Sequence, residues 1–149
     1  MATTLVSAPD VIDMLNDLIQ LDYDVIQAYE AAIPRMDNSE HQGQLAAFRD
    51  DHDRHVRELD SVVRELGGKP VNGSTMSLVV TEEKIAFADM IGDKTVLQAL
   101  KTEVNGTNKA YERAAGRRDL PQSAIPVIQT ALGDERRHRD WLEKTIAAS

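Results

Sequence analysis

The sequence predicts an all-α fold, a four-helix bundle of two antiparallel helical hairpins joined by a long crossover that contains a short helix. Three observations favour this fold. Aromatic residues make up only 4% of the chain, apolar residues recur at spacings of three and four along four long stretches, and glycine and proline cluster between those stretches. A chain of 149 residues, 42% of them hydrophobic, is long enough to bury one core, so residues 1–149 are expected to form a single domain.

The first hairpin begins with residues 7–10, Ser-Ala-Pro-Asp, where a serine cap, an early proline and an acidic residue all suit a helix N-terminus. Its first helix is predicted to run to about Arg35. Residues 37–39, Asp-Asn-Ser, form a short turn and cap the second helix, which continues to Leu66 and stops at the two glycines 67–68. Two long helices joined by so short a turn are expected to pack as antiparallel neighbours.

A long connection, residues 69–93, follows the first hairpin. It contains a β-like apolar run at 78–80 and a Thr-Glu-Glu sequence at 81–83, which opens a short helix predicted to end near Ile91. A single long crossover between two hairpins is an established connectivity of four-helix bundles.

The second hairpin consists of a helix from about Thr95 to Ala115, a turn at residues 116–121 and a last helix from about Ser123 nearly to the C-terminus. Pro126 fits this assignment in the first turn of the last helix, where its missing N–H costs little. The two hairpins look like a diverged repeat. Ala-Tyr-Glu occurs in the first helix of each hairpin, and Asp-His-x-x-His in the second helix matches Asp-Glu-x-x-His in the fourth.

Composition argues against several classes of function. The formal net charge of −8 and the lack of a long basic run disfavour binding to nucleic acid or to an anionic membrane. With no cysteine, the chain has no disulfide and no cysteine-based metal site, so any bound metal must have nitrogen and oxygen ligands. No basic leader precedes an apolar run and no segment is apolar enough to span a bilayer, which predicts a soluble, cytoplasmic protein.

Polar residues interrupt the apolar seam of every predicted helix at about the same level of the bundle. The interrupting residues are Asp22 in the first helix, His52 and His55 in the second, Glu103 in the third, and Glu135 and His138 in the fourth. Three of the four histidines in the chain are among them. Because an unpaired carboxylate in an apolar interior is costly, this layer needs a common partner.

A metal ion would supply that partner. The i, i+3 spacing places both members of the His52/His55 pair, and of the Glu135/His138 pair, on one helix face one turn apart. Carboxylate and imidazole ligands without sulfur suit iron or manganese, and also zinc. The alternative is a metal-free network of hydrogen bonds in a non-enzymatic bundle, which would serve a structural role or a protein partner.

Four residues beside the layer have two interpretations each. Asp51 and Asp134 each precede a layer histidine by four residues, so they either orient the imidazoles from outside or form ordinary surface pairs. Tyr29 and Tyr111 are predicted to pack in the core with their hydroxyls on a helix partner, and a tyrosine near a redox metal can also donate an electron.

The layer resembles the metal site of the ferritin-like superfamily, and the likeness extends over nearly the whole chain. Di-iron and di-manganese members carry one Glu from each of two helices and a Glu-x-x-His motif from each of the other two. Glu135-x-x-His138 matches that motif. Glu103 matches the carboxylate of the third helix, and Asp22 stands in for that of the first. The segments LDYDVIQAYEAA and DDHDRHVRELDSVVRELGGKP are also similar to those of small bacterial ferritin-like proteins.

His52 departs from the family pattern, because it occupies the place of the glutamate in the motif of the second helix. The replacement removes one negative charge from a site that holds two divalent cations, which leaves a mononuclear or asymmetric site as an alternative. A bulge near Gly106 would move Glu103 off the layer. The resemblance implies a metal-binding protein, with iron as the first choice, that oxidises Fe(II) under oxidative or metal stress and forms a dimer or a larger homo-oligomer.

Overall fold

The structure is a computed structural model that describes residues 8–73, 87 and 90–149. The described residues form four α-helices and no strand: α1 (Ala8–Ala32), α2 (Ser39–Glu65), α3 (Asp93–Ala115) and α4 (Ile125–Ala147). α1 packs against α2 and α3, and α4 packs against α3 and α2. The predicted all-α four-helix architecture is therefore confirmed.

The first hairpin turns where the sequence stops supporting an α-helix. α1 ends at Ala32 and a 3₁₀ turn, Ile33–Arg35, replaces the last part of the predicted helix. Pro34 explains the change, because it has no N–H to continue the α-helical hydrogen bonds. Asn38 then caps α2 as predicted, with its side chain accepting a hydrogen bond from the His41 N–H at 3.0 Å.

The second hairpin is tied to the first by Asp93, the first residue of α3. The two carboxylate oxygens of Asp93 accept hydrogen bonds from the backbone N–H groups of Asp37 at 2.7 Å and Asn38 at 3.0 Å. α3 accordingly begins slightly earlier than predicted. α4 begins slightly later, at Ile125, and Pro126 lies in its first turn as expected.

Most of the crossover lies outside the described residues. The predicted β-like run at 78–80 and nearly all of the predicted short helix at 81–91 fall there. Phe87 is described, and its buried side chain belongs to an apolar cluster with residues of α1, α2 and α3. The crossover therefore contributes to the core of the bundle.

Two apolar clusters fill the interior, one on each side of a polar layer. The first cluster includes Leu15, Leu18, Leu59, Val62 and Ile128. The second includes Val25, Phe48, Leu97, Leu100 and Leu142. Along α2, His52 and His55 lie between the residues of the two clusters. Among the described residues, no helix has the length and apolar character that a membrane-spanning segment needs.

Candidate metal centre

Five of the six residues predicted to bind metal are buried at the level between the two apolar clusters. They are Asp22, His52, His55, Glu135 and His138, each at most 1% exposed. α1 supplies the first, α2 the next two and α4 the last two. Imidazoles and carboxylates buried this completely must compensate one another's charge or share a ligand.

Four of these residues bring their donor atoms close enough to share one ion. One donor atom from each of Asp22, His52, His55 and Glu135 lies within 4.8 Å of the others. Glu135 Oε1 is 3.3 Å from His52 Nε2 and 3.8 Å from His55 Nδ1, and His55 Nδ1 is 3.4 Å from Asp22 Oδ1. Ligand atoms about 2.0–2.2 Å from a tetrahedral ion lie about 3.3–3.6 Å apart. We call these residues the four-residue cluster.

Asp22 is held by polar side chains from two other helices. Its Oδ1 lies 2.7 Å from His52 Nδ1, and its Oδ2 accepts a hydrogen bond from the Tyr111 hydroxyl at 2.5 Å. Burial raises the pKa of this carboxyl, but hydrogen bonds and positive charge from His52 and His55 outweigh burial and hold the pKa below its ordinary value. Asp22 is therefore an anion inside the core.

Glu135 has one satisfied oxygen and one unsatisfied oxygen. The Thr107 hydroxyl donates a hydrogen bond to Glu135 Oε2 at 2.6 Å, whereas Oε1 has no hydrogen-bond partner among the described residues. Burial raises the pKa of Glu135 above its ordinary value, although the positive charge of His52 opposes that rise. A cation beside Oε1 would favour the ionised carboxylate.

Two histidine–aspartate pairs cross between α2 and α4. His55 Nε2 lies 2.9 Å from Asp134 Oδ2, and His138 Nε2 lies 2.8 Å from Asp51 Oδ2. In both histidines the other ring nitrogen, Nδ1, is buried and has no hydrogen-bond partner among the described residues. Metal-binding histidines usually donate their second ring N–H to a carboxylate in this way. Each aspartate thus orients the histidine of the opposite helix.

Two arginines cover the crossed pairs on the solvent side. Arg54 pairs with Asp134, and Arg137 lies 2.9 Å from Asp51 and 3.1 Å from Asp134. Burial raises the pKa of each aspartate, but the paired histidine and Arg137 hold it below its ordinary value. Both aspartates are therefore anionic acceptors for histidine N–H groups.

The three layer histidines differ in charge when no metal is bound. Burial lowers the pKa of His55, but the surrounding carboxylates, above all Asp22, raise it to about 9. Burial also lowers the pKa of His52, but Glu135 and Asp22 outweigh burial and raise that pKa above its ordinary value. Burial and the positive charge of His52 lower the pKa of His138 to about 3. At pH 7 His55 is therefore protonated and His138 is neutral.

His138 lies beside the four-residue cluster. Its ring centroid is 5.3 Å from that of His52, and its ring stacks on Phe48 with centroids 4.2 Å apart. Glu103, by contrast, is only half-buried, and the structure does not bring it into the cluster. The next residue, Val104, is fully buried instead, because Val104 lies on the face of α3 that points into the bundle.

Three residues that support the layer had no role assigned from the sequence: Thr107, Arg54 and Arg137. A signal existed for the arginines, because each lies three residues after the aspartate and directly before the histidine of its repeat. Both repeats therefore read Asp-x-x-Arg-His. Thr107 is one of the buried residues of α3, but no repeated motif marks it as a hydrogen-bond donor to Glu135.

The donor atoms of the four-residue cluster fit a divalent transition metal. His52 Nε2, His55 Nδ1 and Glu135 Oε1 are buried and have no hydrogen-bond partner among the described residues. Buried polar atoms are rarely left in this state, and one cation would satisfy all three. Nitrogen and oxygen donors without sulfur suit Fe(II), Mn(II) and Zn(II).

A four-helix bundle with one long connection between its two hairpins is the architecture of ferritin-like folds. The chain is similar to a solved two-domain protein from Anabaena variabilis that contains DJ-1/ThiJ/PfpI-like and ferritin-like domains. The TM-score is 0.75, with 13% identity, and the match covers 96% of this chain and 37% of that one. At this identity the likeness concerns the fold alone, and the fold is ferritin-like.

The chain belongs to the family described as Domain of unknown function (DUF2383), which matches residues 10–116. The matched range contains most of the first three helices and ends before α4, which carries Glu135 and His138. The comparison with curated proteins gives no match.

Proposed function

We propose that this protein binds a divalent transition-metal ion through Asp22, His52, His55 and Glu135, with Fe(II) as the physiological ion and Mn(II) or Zn(II) as alternatives. The observation that carries the proposal is the convergence of four buried ligand side chains from three helices on one point. The second ring nitrogen of His55 is already bound by Asp134, as expected of a metal-binding histidine.

The charges of the cluster support a divalent ion. In the metal-free protein the pKa values of His52 and His55 are raised, so protons on these imidazoles compensate the two carboxylates. A divalent ion that displaces two protons leaves the total charge of the layer unchanged. Binding therefore leaves no uncompensated charge in the core.

The finer part of the proposal is that bound Fe(II) is oxidised by dioxygen or peroxide, a reaction whose redox chemistry the iron itself supplies. The residues of the chain bind and orient the ion. The Tyr111 hydroxyl and the Thr107 hydroxyl hold the carboxylates of Asp22 and Glu135, and the apolar clusters above and below keep bulk water out of the layer.

Metal titration tests the binding. The purified protein is loaded with Fe(II) without oxygen, or with Mn(II) or Zn(II), separated by gel filtration and assayed by elemental analysis and thermal unfolding. We expect near-stoichiometric metal and a higher Tm, because the ion binds the native state preferentially. Asp22→Asn should bind far less metal. Asp50→Asn is the matched control, since it removes the same charge from an exposed position of α2.

Two results would contradict the binding proposal: a parent protein that binds no metal, or an Asp22→Asn variant that binds it as tightly as the parent. Oxidation is tested separately by admitting air to the Fe(II)-loaded protein and following the absorbance of Fe(III). A rate no higher than that of Fe(II) in buffer would remove the oxidation step and leave the binding proposal in place.

A second candidate function is a metal-free bundle whose polar layer is structural. One observation favours it: Asp22 has hydrogen-bond partners in His52 and Tyr111 without any ion. His52→Leu distinguishes the two functions. The structural function expects the metal-free protein to lose about 1–3 kcal/mol of stability, because the buried Asp22 anion loses one of its two hydrogen-bond partners. It also expects the parent to have no metal affinity that the substitution could reduce. The metal-binding function expects the affinity itself to fall.

A further inference from the structure

The polar layer has two halves related by the internal repeat. In α2 the repeat supplies Asp51, Arg54 and His55, and in α4 it supplies Asp134, Arg137 and His138. His52 and Glu135 occupy equivalent positions directly after the two aspartates.

The ring of His52 lies 5.2 Å from that of His55 and 5.3 Å from that of His138. His52 therefore lies at the middle of the layer, beside both outer histidines.

The same repeat relates α1 to α3. Tyr29 and Tyr111 are equivalent because each stands between the Ala and the Glu of an Ala-Tyr-Glu sequence. Asp22 in α1 and Val104 in α3 each lie seven residues before the tyrosine of their helix. Both side chains are 0% exposed. Val104 is therefore the counterpart of Asp22.

The two halves differ in how their polar atoms are satisfied. We define the first half-site as Asp22, His55 and Tyr111, and the second half-site as Val104, His138 and Tyr29. In the first half-site the Tyr111 hydroxyl donates to Asp22. In the second, the Tyr29 hydroxyl and His138 Nδ1 are buried without a hydrogen-bond partner among the described residues, and Tyr29 and Val104 belong to the same apolar cluster.

We infer that the protein holds a single divalent ion, in the first half-site, and that Val104 is the residue that prevents a second ion from binding in the second half-site. This inference rests on the proposed function. Asp22 and Glu135 together supply two negative charges, which one divalent ion neutralises. Among the described residues the core contains no further buried carboxylate, so a second ion beside His138 would bring in two more positive charges without compensation, which is strongly unfavourable.

The first experiment measures the number of Co(II) ions bound per chain, by elemental analysis and by the visible absorption of the bound ion. The parent should bind one ion. Val104→Asp should bind a second, because it supplies a carboxylate to the half-site of His138, whose Nδ1 has no hydrogen-bond partner among the described residues. Val104→Asn is the matched control: it adds a polar side chain of the same size without the charge, and it should still bind one ion.

A second variant keeps the test decisive if Val104→Asp does not fold. Asp22→Val/Val104→Asp exchanges the two residues, so the number of buried carboxylates is the same as in the parent. It should bind one Co(II) ion, now in the second half-site. On this background His138→Ala should lower the affinity at least about tenfold, while His55→Ala should have a smaller effect; on the parent background the order should reverse.

The outcomes separate this inference from the proposed function. A parent that binds no ion contradicts the proposed function, and the inference falls with it. A parent that binds two ions contradicts the inference and leaves the proposed function standing. The inference also fails if a folded Val104→Asp protein binds one ion only, or if the exchanged variant folds but still depends on His55 rather than His138.

Discussion

The first and second half-sites have the same supporting residues but opposite electrostatics. Each has a histidine oriented by an aspartate of the opposite helix and a buried tyrosine. The first half-site contains a carboxylate and a protonated histidine, whereas the second contains a valine and a neutral histidine. The orientation of the histidine and the burial of the tyrosine are therefore the same in a half-site that has a valine in place of the carboxylate, so neither feature depends on that carboxylate.

The largest expected difference between the halves concerns the histidines as ligands. His55→Gln should lower Zn(II) affinity by about 100-fold or more, because it removes an imidazole from the four-residue cluster, and His138→Gln should lower it by less than about tenfold. Competition titration against a chelator measures both values. Glutamine preserves side-chain polarity in both variants, so similar losses in the two would contradict the proposed asymmetry.

A smaller difference is expected for the aspartates that orient those histidines. Asp134→Asn should lower Zn(II) affinity about 10–100-fold, because Asp134 fixes the orientation of His55. Asp51→Asn should change it little. The two variants are matched, since each removes an ion pair with Arg137 and an ion pair with Arg54. A larger effect from Asp51→Asn would indicate that the ion binds beside His138.

The protonation states of the metal-free protein offer a comparison without any variant. NMR titration should show His55 losing its proton near pH 9 and His138 staying neutral down to about pH 3. The raised pKa of His55 stabilises the fold at pH values below 6.5, the ordinary pKa of this group. This stabilisation is lost as pH rises through about 9. The lowered pKa of His138 stabilises the fold above 6.5, and that contribution is lost as pH falls toward 3. Titration of both rings near pH 6.5 would contradict the comparison.

The smallest expected difference concerns the tyrosine hydroxyls. Tyr111→Phe should reduce the free energy of unfolding of the metal-free protein by about 1–3 kcal/mol, because Asp22 loses a hydrogen bond to its charged carboxylate. Tyr29→Phe removes a buried hydroxyl that has no partner among the described residues, so its effect should be near zero or slightly stabilising. Chemical denaturation of both variants measures this difference. Equal losses would mean that Tyr29 has a partner of its own.

The helices and most of the buried layer could be predicted from the sequence, because both depend on local information. Apolar spacing identified four helices, and the interruptions of that spacing identified Asp22, His52, His55 and Glu135, which the structure brings together. Caps such as Asn38 also depend only on neighbouring residues.

The orientation of α3 could not be predicted in the same way. A seam that passes through Leu100 continues equally well through Glu103 or Val104, since spacings of three and four both occur on one helix face. The packing of α3 against α1 and α4 decides between them, and it buries Val104. The crossed pairing of Asp51 with His138 was equally inaccessible, because it depends on how two distant helices meet.

The crossed pairs have a consequence for how the chain is held together. The four-residue cluster draws ligands from both hairpins, and each outer histidine has its aspartate in the other hairpin. A bound ion would therefore cross-link segments that are far apart in the sequence. As long as the ion stayed bound, this cross-link would reduce the conformational entropy of the unfolded chain. In a protein without cysteine, such an ion would act as a reversible counterpart of a disulfide, one that depends on metal supply rather than on redox conditions.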